Sequence, residues 1–241
     1  MILQKNDSVE RRRFGKFSYL LGSLLSLLVG IAFTGSNRIS VMIFCLLFSI
    51  VLLTAVVSVC RRHKTLGVGL AFVIPMLMLN VVGYIDGGKS MFSVTHNVFI
   101  MGFFLFVSYH VLIAVLDDRE VTLDTIIGAV CLYLLAGLIW AYGYSTILLM
   151  DSSAFSVKSL SPIAEYSPFS SVGLQPLIYL SFVTMATLGY GDIVPVSGPA
   201  QTACYTQAIF GQFFFAVLVA RLVSIYIAPV YQRSREQTQE F

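Results

Sequence analysis

Five consecutive residues, Thr187-Leu188-Gly189-Tyr190-Gly191, have the types and spacing to do chemistry with backbone oxygen alone. Stacked rings of carbonyls can replace the hydration shell of a passing ion, provided that successive carbonyls point the same way. That requirement forces positive backbone angles at some positions, which Gly189 and Gly191 tolerate and a residue with a Cβ does not. The Thr187 hydroxyl can add an oxygen to the innermost ring. Leu188 and Tyr190 are expected to point away from the ion path and wedge the loop against surrounding helices. Asp192, just beyond, would place negative charge at the mouth and raise the local cation concentration.

Such a loop needs helices around it, and the composition supplies them. With 57% hydrophobic and 11% charged residues, a soluble domain of 241 residues would expose far too much apolar surface. Apolar runs lie near Phe17 to Phe33, Ile39 to Val59, Leu66 to Ile85, Val98 to Val115, Ile126 to Met150 and Ala200 to Ala228. Each is close to or above the roughly 20 residues that a helix needs to cross a bilayer. Six crossings are therefore expected, and the first run lacks a small-residue site that would mark a cleaved signal peptide.

Charge sets the orientation. With the amino terminus cytoplasmic, Lys5, Arg11, Arg12, Arg13, Lys16, Arg61, Arg62, Lys64, Arg119, Arg221, Arg233 and Arg235 fall inside, and Arg38, Lys89 and Lys158 outside. This satisfies the positive-inside bias and puts Asp192 on the outer side. The basic residues flank helices instead of forming one stripe, so no nucleic-acid partner is expected. Cys45, Cys60, Cys131 and Cys204 lie in or beside apolar runs at no metal-ligand spacing, which reads as packing without a disulfide framework. No nucleophile with its base, paired aspartates or ligand cluster is arranged for catalysis, so the chain is not read as an enzyme.

At Thr184-Met185-Ala186-Thr187-Leu188-Gly189-Tyr190-Gly191-Asp192 the chain resembles the tetrameric potassium channel superfamily, whose signature is TMxTVGYGD. Leu188 stands where valine is commoner, which leaves the carbonyls untouched. The resemblance is specific over about Pro176 to Pro195 and weaker over Val121 to Pro229, and it is nearest to bacterial six-helix voltage-independent channels. It implies an all-α membrane fold of six transmembrane helices, with a re-entrant pore helix and filter between the fifth and sixth. The expected parts are a cytoplasmic tail (1–16), a four-helix module (17–116), a linker (117–125), a pore domain (126–229) and a second cytoplasmic tail (230–241). One filter per chain implies a homotetramer, each chain meeting three further copies of itself and membrane lipid. Potassium ions at Thr187, Leu188, Gly189 and Tyr190 would be the only bound species, with no cofactor. The implied function is passive, potassium-selective flux across the cell membrane with both termini cytoplasmic. A nonselective monovalent cation channel and a nonconducting modulatory subunit are the alternatives.

Within that frame Pro176 suits the first turn of a pore helix running to about Ala186. Val183, Tyr179 and Leu180 stand where many relatives carry a buried glutamate or a tryptophan pair behind the filter. Gly211 falls at the position of the family's hinge glycine, and hinge and close packing are both open. By resemblance Gln212, Phe215 and Val219 face the inner cavity. Arg221, near the inner end of the last helix, either snorkels to lipid or pairs with Asp117, Asp118, Glu120 or Asp124 of the linker. Trp140, Tyr142 and Tyr144 read as an outer aromatic belt, and Asp151 to Gly173 as a surface turret.

The four-helix module lacks the basic residues of a voltage sensor, since no lysine or arginine lies between Lys89 and Arg119. His96 and His110 are the titratable side chains there, and both read as interfacial or hydrogen-bonded. Gly22, Ser23, Ser26 and Gly30 form a small-residue stripe suited to close helix contact. Pro75 suggests a kink, and Asn80 an interhelical hydrogen bond.

Overall fold

The computed structural model describes residues 15–33, 38–59, 74, 75, 78, 90–117, 122–157 and 171–239. In chain order these form α1 (Lys16–Phe33), α2 (Arg38–Val59), α3 (Ser90–Asp117), α4 (Leu123–Met150), β1 (Phe155–Val157), α5 (Ser171–Met185), β2 (Ile193–Pro195) and α6 (Gly198–Gln239). The architecture is mostly helical, as long apolar runs must be where backbone polar groups find no water. Among the described residues, Val94–Asp117 and Leu123–Met150 are long and apolar enough to cross a membrane, and shorter apolar stretches occupy Phe17–Ile31, Leu46–Ser58 and Leu174–Met185. Of the expected third span only 74, 75 and 78 are described, with Pro75 helical. Asn80, Arg11–Arg13, Arg61–Lys64 and most of the turret lie outside the described residues.

Helix α4 is the wall shared by the two halves of the fold. Against it pack α3 and α1 on one side and α5 and α6 on the other. Its start is fixed by Thr122 and Thr125, each side chain accepting the other's backbone N–H at 3.2 and 3.4 Å. Small residues then let neighbours approach: Gly128 faces Val115 and Phe17, and Gly137 faces the Phe182 ring, so a Cβ at either would collide. The main core runs through α1 to α4 and reaches Leu174 and Ile178 of α5. A second cluster, with Tyr144, Leu148, Phe155, Leu177, Leu180 and Ile193, closes the end where β1 and β2 lie.

Polar contacts pin these helices at defined heights. Asn97 of α3 donates through Nδ2 to Ser145 Oγ of α4 at 2.7 Å, while Phe104 of α3 packs on Tyr142. Ser23 of α1 shares a 2.7 Å hydrogen bond with Thr54 of α2, and Gly30 admits the Leu47 side chain. Part of the expected small-residue stripe therefore does face a helix, whereas Gly22 borders open space. At the other end of α1, Asp124 Oδ1 accepts the Phe17 backbone N–H at 3.1 Å. The carboxylate thus sits in the first turn of α4 and against the first turn of α1, where both helix dipoles favour negative charge.

Several sequence expectations change. Helix α3 begins at Ser90, eight residues before Val98, because the polar residues Thr95, His96 and Asn97 extend the helix on contacts that apolarity alone does not reveal. His96 is buried at 3% exposure, and the half-buried His110 packs edge-on against Phe106 and Tyr109. Tyr142 and Tyr144 are not a belt: both are buried, held between α4 and its neighbours. Helix α6 passes Ala228 and Pro229 and ends at Gln239; 42 residues give about 63 Å of helix, roughly twice a hydrocarbon core. The second cytoplasmic tail expected at 230–241 is thus mostly a continuation of that helix.

Asp124→Ala is expected to lower protection of the Phe17 amide against hydrogen exchange by roughly fivefold, equivalent to about 1 kcal/mol for a lost helix-capping acceptor. Unchanged exchange at that amide, with α4 intact, would show that the carboxylate does not cap α1.

Candidate functional site

The loop from Thr187 to Gly191 grows out of the way α5 ends. The Thr187 N–H donates to Thr184 O at 3.1 Å, and the Leu188 N–H to Val183 O at 2.9 Å. This nested pair is the Schellman closure, which needs a left-handed residue at its turn. Thr187 is that residue, with φ +57°. Glycine is the usual occupant, and a β-branched side chain there costs roughly 1–2 kcal/mol. Gly189 and Gly191 follow at φ +57° and +72°, and the intervening Leu188 and Tyr190 keep negative φ. An alternation of φ sign sends successive N–H groups to one side and their carbonyls to the other, where an ordinary strand would alternate them.

Around that loop, α5 begins at Ser171, so Pro176 lies in its second turn and not its first. A proline there removes one early intrahelical bond and leaves the C-terminal turn, the one that matters for the loop, intact. Leu188 and Tyr190 are 56% and 67% exposed within the single chain. Tyr190 stacks on Tyr179 of α5, ring centroids 6.4 Å apart and 9° from parallel. The Tyr179 hydroxyl hydrogen-bonds Asp192, and the Ile193 N–H donates to Asp192 Oδ1 at 3.0 Å. These bonds favour the carboxylate, with Tyr179 the larger cause, and hold Asp192 below the usual aspartate range.

Beyond Asp192 the chain is tied down by a feature that no sequence signal announced. Ile193–Pro195 pairs antiparallel with Phe155–Val157, in the register Phe155 with Pro195, Ser156 with Val194 and Val157 with Ile193. Val196 N–H adds a bond to Ala154 O at 2.8 Å. Three-residue strands carry too little alternation to be read from sequence.

At its Thr187 end the loop opens on a cavity of about 560 Å³. Thr187, Gly211, Gln212 and Phe215 line it together with Tyr133 of α4 and Met185 at the C-terminal end of α5. Four residues singled out along the sequence are thus brought to one space. Gly211 is closely packed here: it is buried, a Cβ would lie 2.5 Å from Met185 O, and α6 continues as helix through it. The side chains of Val219 and Arg221 lie outside the described residues, as do Asp118 and Glu120. Of the acidic residues offered as partners of Arg221, Asp124 accepts a hydrogen bond from the backbone of α1.

The loop whose φ angles alternate in sign thus lies at the end of a mostly apolar helical frame. Residues 123–228, from the start of α4 to within α6, match the family model described as "Ion channel". That match supports the pore-loop potassium channel superfamily for this segment, a family of ion channels and not of enzymes. No curated protein and no solved structure matches the chain.

Because Tyr179 is the main cause of the low Asp192 pKa, its loss must raise that pKa. The lowered pKa keeps the carboxylate charged to a lower pH than an ordinary aspartate. The Asp192 carboxyl should therefore titrate at a higher pH in Tyr179→Phe than in the native protein, as followed by NMR of its side-chain carboxyl carbon. Superimposable acid profiles would remove Tyr179 as the cause.

Proposed function

We propose that the protein is a homotetrameric, potassium-selective channel that conducts passively, with Thr187 to Gly191 as the selectivity filter and Asp192 at the outer mouth. The observation that carries this reading is the alternation of φ sign from Thr187 to Gly191, a backbone that aligns carbonyls and has no other evident use. One chain supplies one such loop, and a ring needs four around an axis. The exposed apolar side chains of α6, among them Tyr205, Ile209, Phe213 and Val217, support burial against further copies. In this reading the cavity lined by Thr187, Gln212 and Phe215 is part of the inner vestibule, α5 is the re-entrant pore helix, and both termini are cytoplasmic.

Reversal potentials of the reconstituted protein in mixed potassium and sodium should follow potassium. Gly189→Ala should abolish the current. Nothing in its own chain lies within 4 Å of the added Cβ, so the effect is conformational. The left-handed penalty of roughly 1–2 kcal/mol per subunit is multiplied over four copies to about 4–8 kcal/mol. Equal sodium and potassium permeability in the native protein would sink the selectivity reading and leave a nonselective cation channel; absence of any current would favour a nonconducting subunit.

Helix α3 carries no lysine or arginine from Ser90 to Asp117, so weak voltage dependence is part of the proposal. Each elementary charge crossing the field contributes about 2.3 kcal/mol per 100 mV, and steep gating needs several. Open probability should change shallowly between negative and positive potentials. A steep conductance curve with several gating charges per channel would overturn this.

A further inference from the structure

Behind the loop lies a buried polar chain for which the channel reading so far has no task. Gln207 of α6, Ser181 of α5 and Tyr144 of α4 are all 0% exposed. The Tyr144 hydroxyl donates to Gln207 Oε1. Gln207 Nε2 donates to Ser181 Oγ at 2.7 Å and to Ser181 O at 3.1 Å, and Ser181 Oγ donates to Gly137 O at 2.6 Å. The chain leaves α4, crosses α6 and α5, and returns to α4 with every donor pointing the same way. A carbonyl can only accept, so the amide nitrogen must face Ser181 O and the amide oxygen must face Tyr144.

One helical turn further, Gly211 abuts Met185 O. Residues 207 and 211 of α6 thus meet 181 and 185 of α5 in the same four-residue step. Past Met185 the closure at Thr187 and Leu188 leaves no slack before the loop begins. We propose that Gln207 is a positioning residue for the filter: its amide fixes the register of α5 on α6, and through the end of α5 it sets the height of Thr187 and the carbonyls that follow. The inference rests on reading 187–191 as the filter.

The device is neutral. The groups facing the amide are Tyr144 of α4 and Ser181 of α5; Thr184 and Cys204 reach the Tyr144 hydroxyl, and no aspartate, glutamate, histidine, lysine or arginine is among them. Native selectivity should therefore be flat with pH, and a carboxyl at 207 should make it titrate. Ionised, that group has no donor for Ser181; protonated, it has one.

The test uses the full chain reconstituted in planar bilayers, with potassium and sodium reversal potentials measured from about pH 5 to about pH 9. Gln207→Glu should keep a near-native permeability ratio in acid and lose about tenfold as pH rises, the order expected when a buried acceptor loses its donor. Gln207→Met, which fills the space without a donor, should be low at every pH, and Tyr144→Phe should fall between it and the native protein. A loss of stability alone would not create a pH profile in selectivity. Where Gln207→Glu fails to assemble, Gln207→Met and Tyr144→Phe carry the test. A native ratio in Gln207→Met or in Tyr144→Phe, or a flat native ratio in Gln207→Glu, overturns the proposal. If the native protein proves nonselective, the filter reading fails first; the same pH pattern in unitary conductance then supports the role of Gln207, and its absence overturns it.

Discussion

The constraint on which the rest of the structure depends is that a polypeptide does not willingly point consecutive carbonyls the same way. Doing so takes left-handed residues at every second position, and here they are Thr187, Gly189 and Gly191. Two are glycines and cost little. The third is threonine, and its conformation persists because the end of α5 imposes it: the two nested bonds from Thr187 and Leu188 close the helix only if residue 187 is left-handed. The helix end and the loop are therefore one object, and whatever moves α5 moves the carbonyls.

That dependence gives the surrounding contacts a common purpose. At the Gly191 end of the loop, Tyr179 holds Tyr190 by stacking and Asp192 by a hydrogen bond, and the β1–β2 pair anchors Ile193 to Pro195. At the Thr187 end, α6 meets α5 at Ser181 and Met185. Helix α4 receives Ser181 on its backbone at Gly137, and it is itself pinned to α3 through Ser145 and to α1 through Asp124. Glycine recurs at the tightest of these contacts because helix backbones must approach to within a side chain or a carbonyl of each other.

Much of this was legible in the sequence, and the rest was hidden for identifiable reasons. Apolar runs gave the helices, and the glycines at 189 and 191 gave the loop, since both signals are local. Thr187 concealed its left-handed backbone because threonine does not advertise one; only its position four residues past Val183 at a helix end requires it. Tyr144 read as interfacial because an aromatic with a hydroxyl suits a bilayer surface equally well. Its partner Gln207 is 63 residues away in sequence, and no periodicity links them. Asp124 invited pairing with a distant arginine, whereas a helix N-terminus that satisfies it lay in the first helix of the chain. Hydrogen-bond partners across helices are set by packing height, which hydropathy does not encode.

The choice of neutral groups behind the loop has a physical logic of its own. A carboxylate buried at position 207 would cost several kcal/mol of desolvation unless paired, and its charge would act on any ion in the loop. An amide avoids both terms. It offers two donors and an acceptor in a fixed plane, enough to join three helices, and its dipole cannot be discharged by a proton. Tyrosine and serine complete the chain with hydroxyls that both donate and accept, so every member is satisfied without an ion. A network that cannot titrate over the physiological range holds α5 equally well on both sides of a pH gradient, and a loop whose backbone is already strained at Thr187 needs a support of that kind.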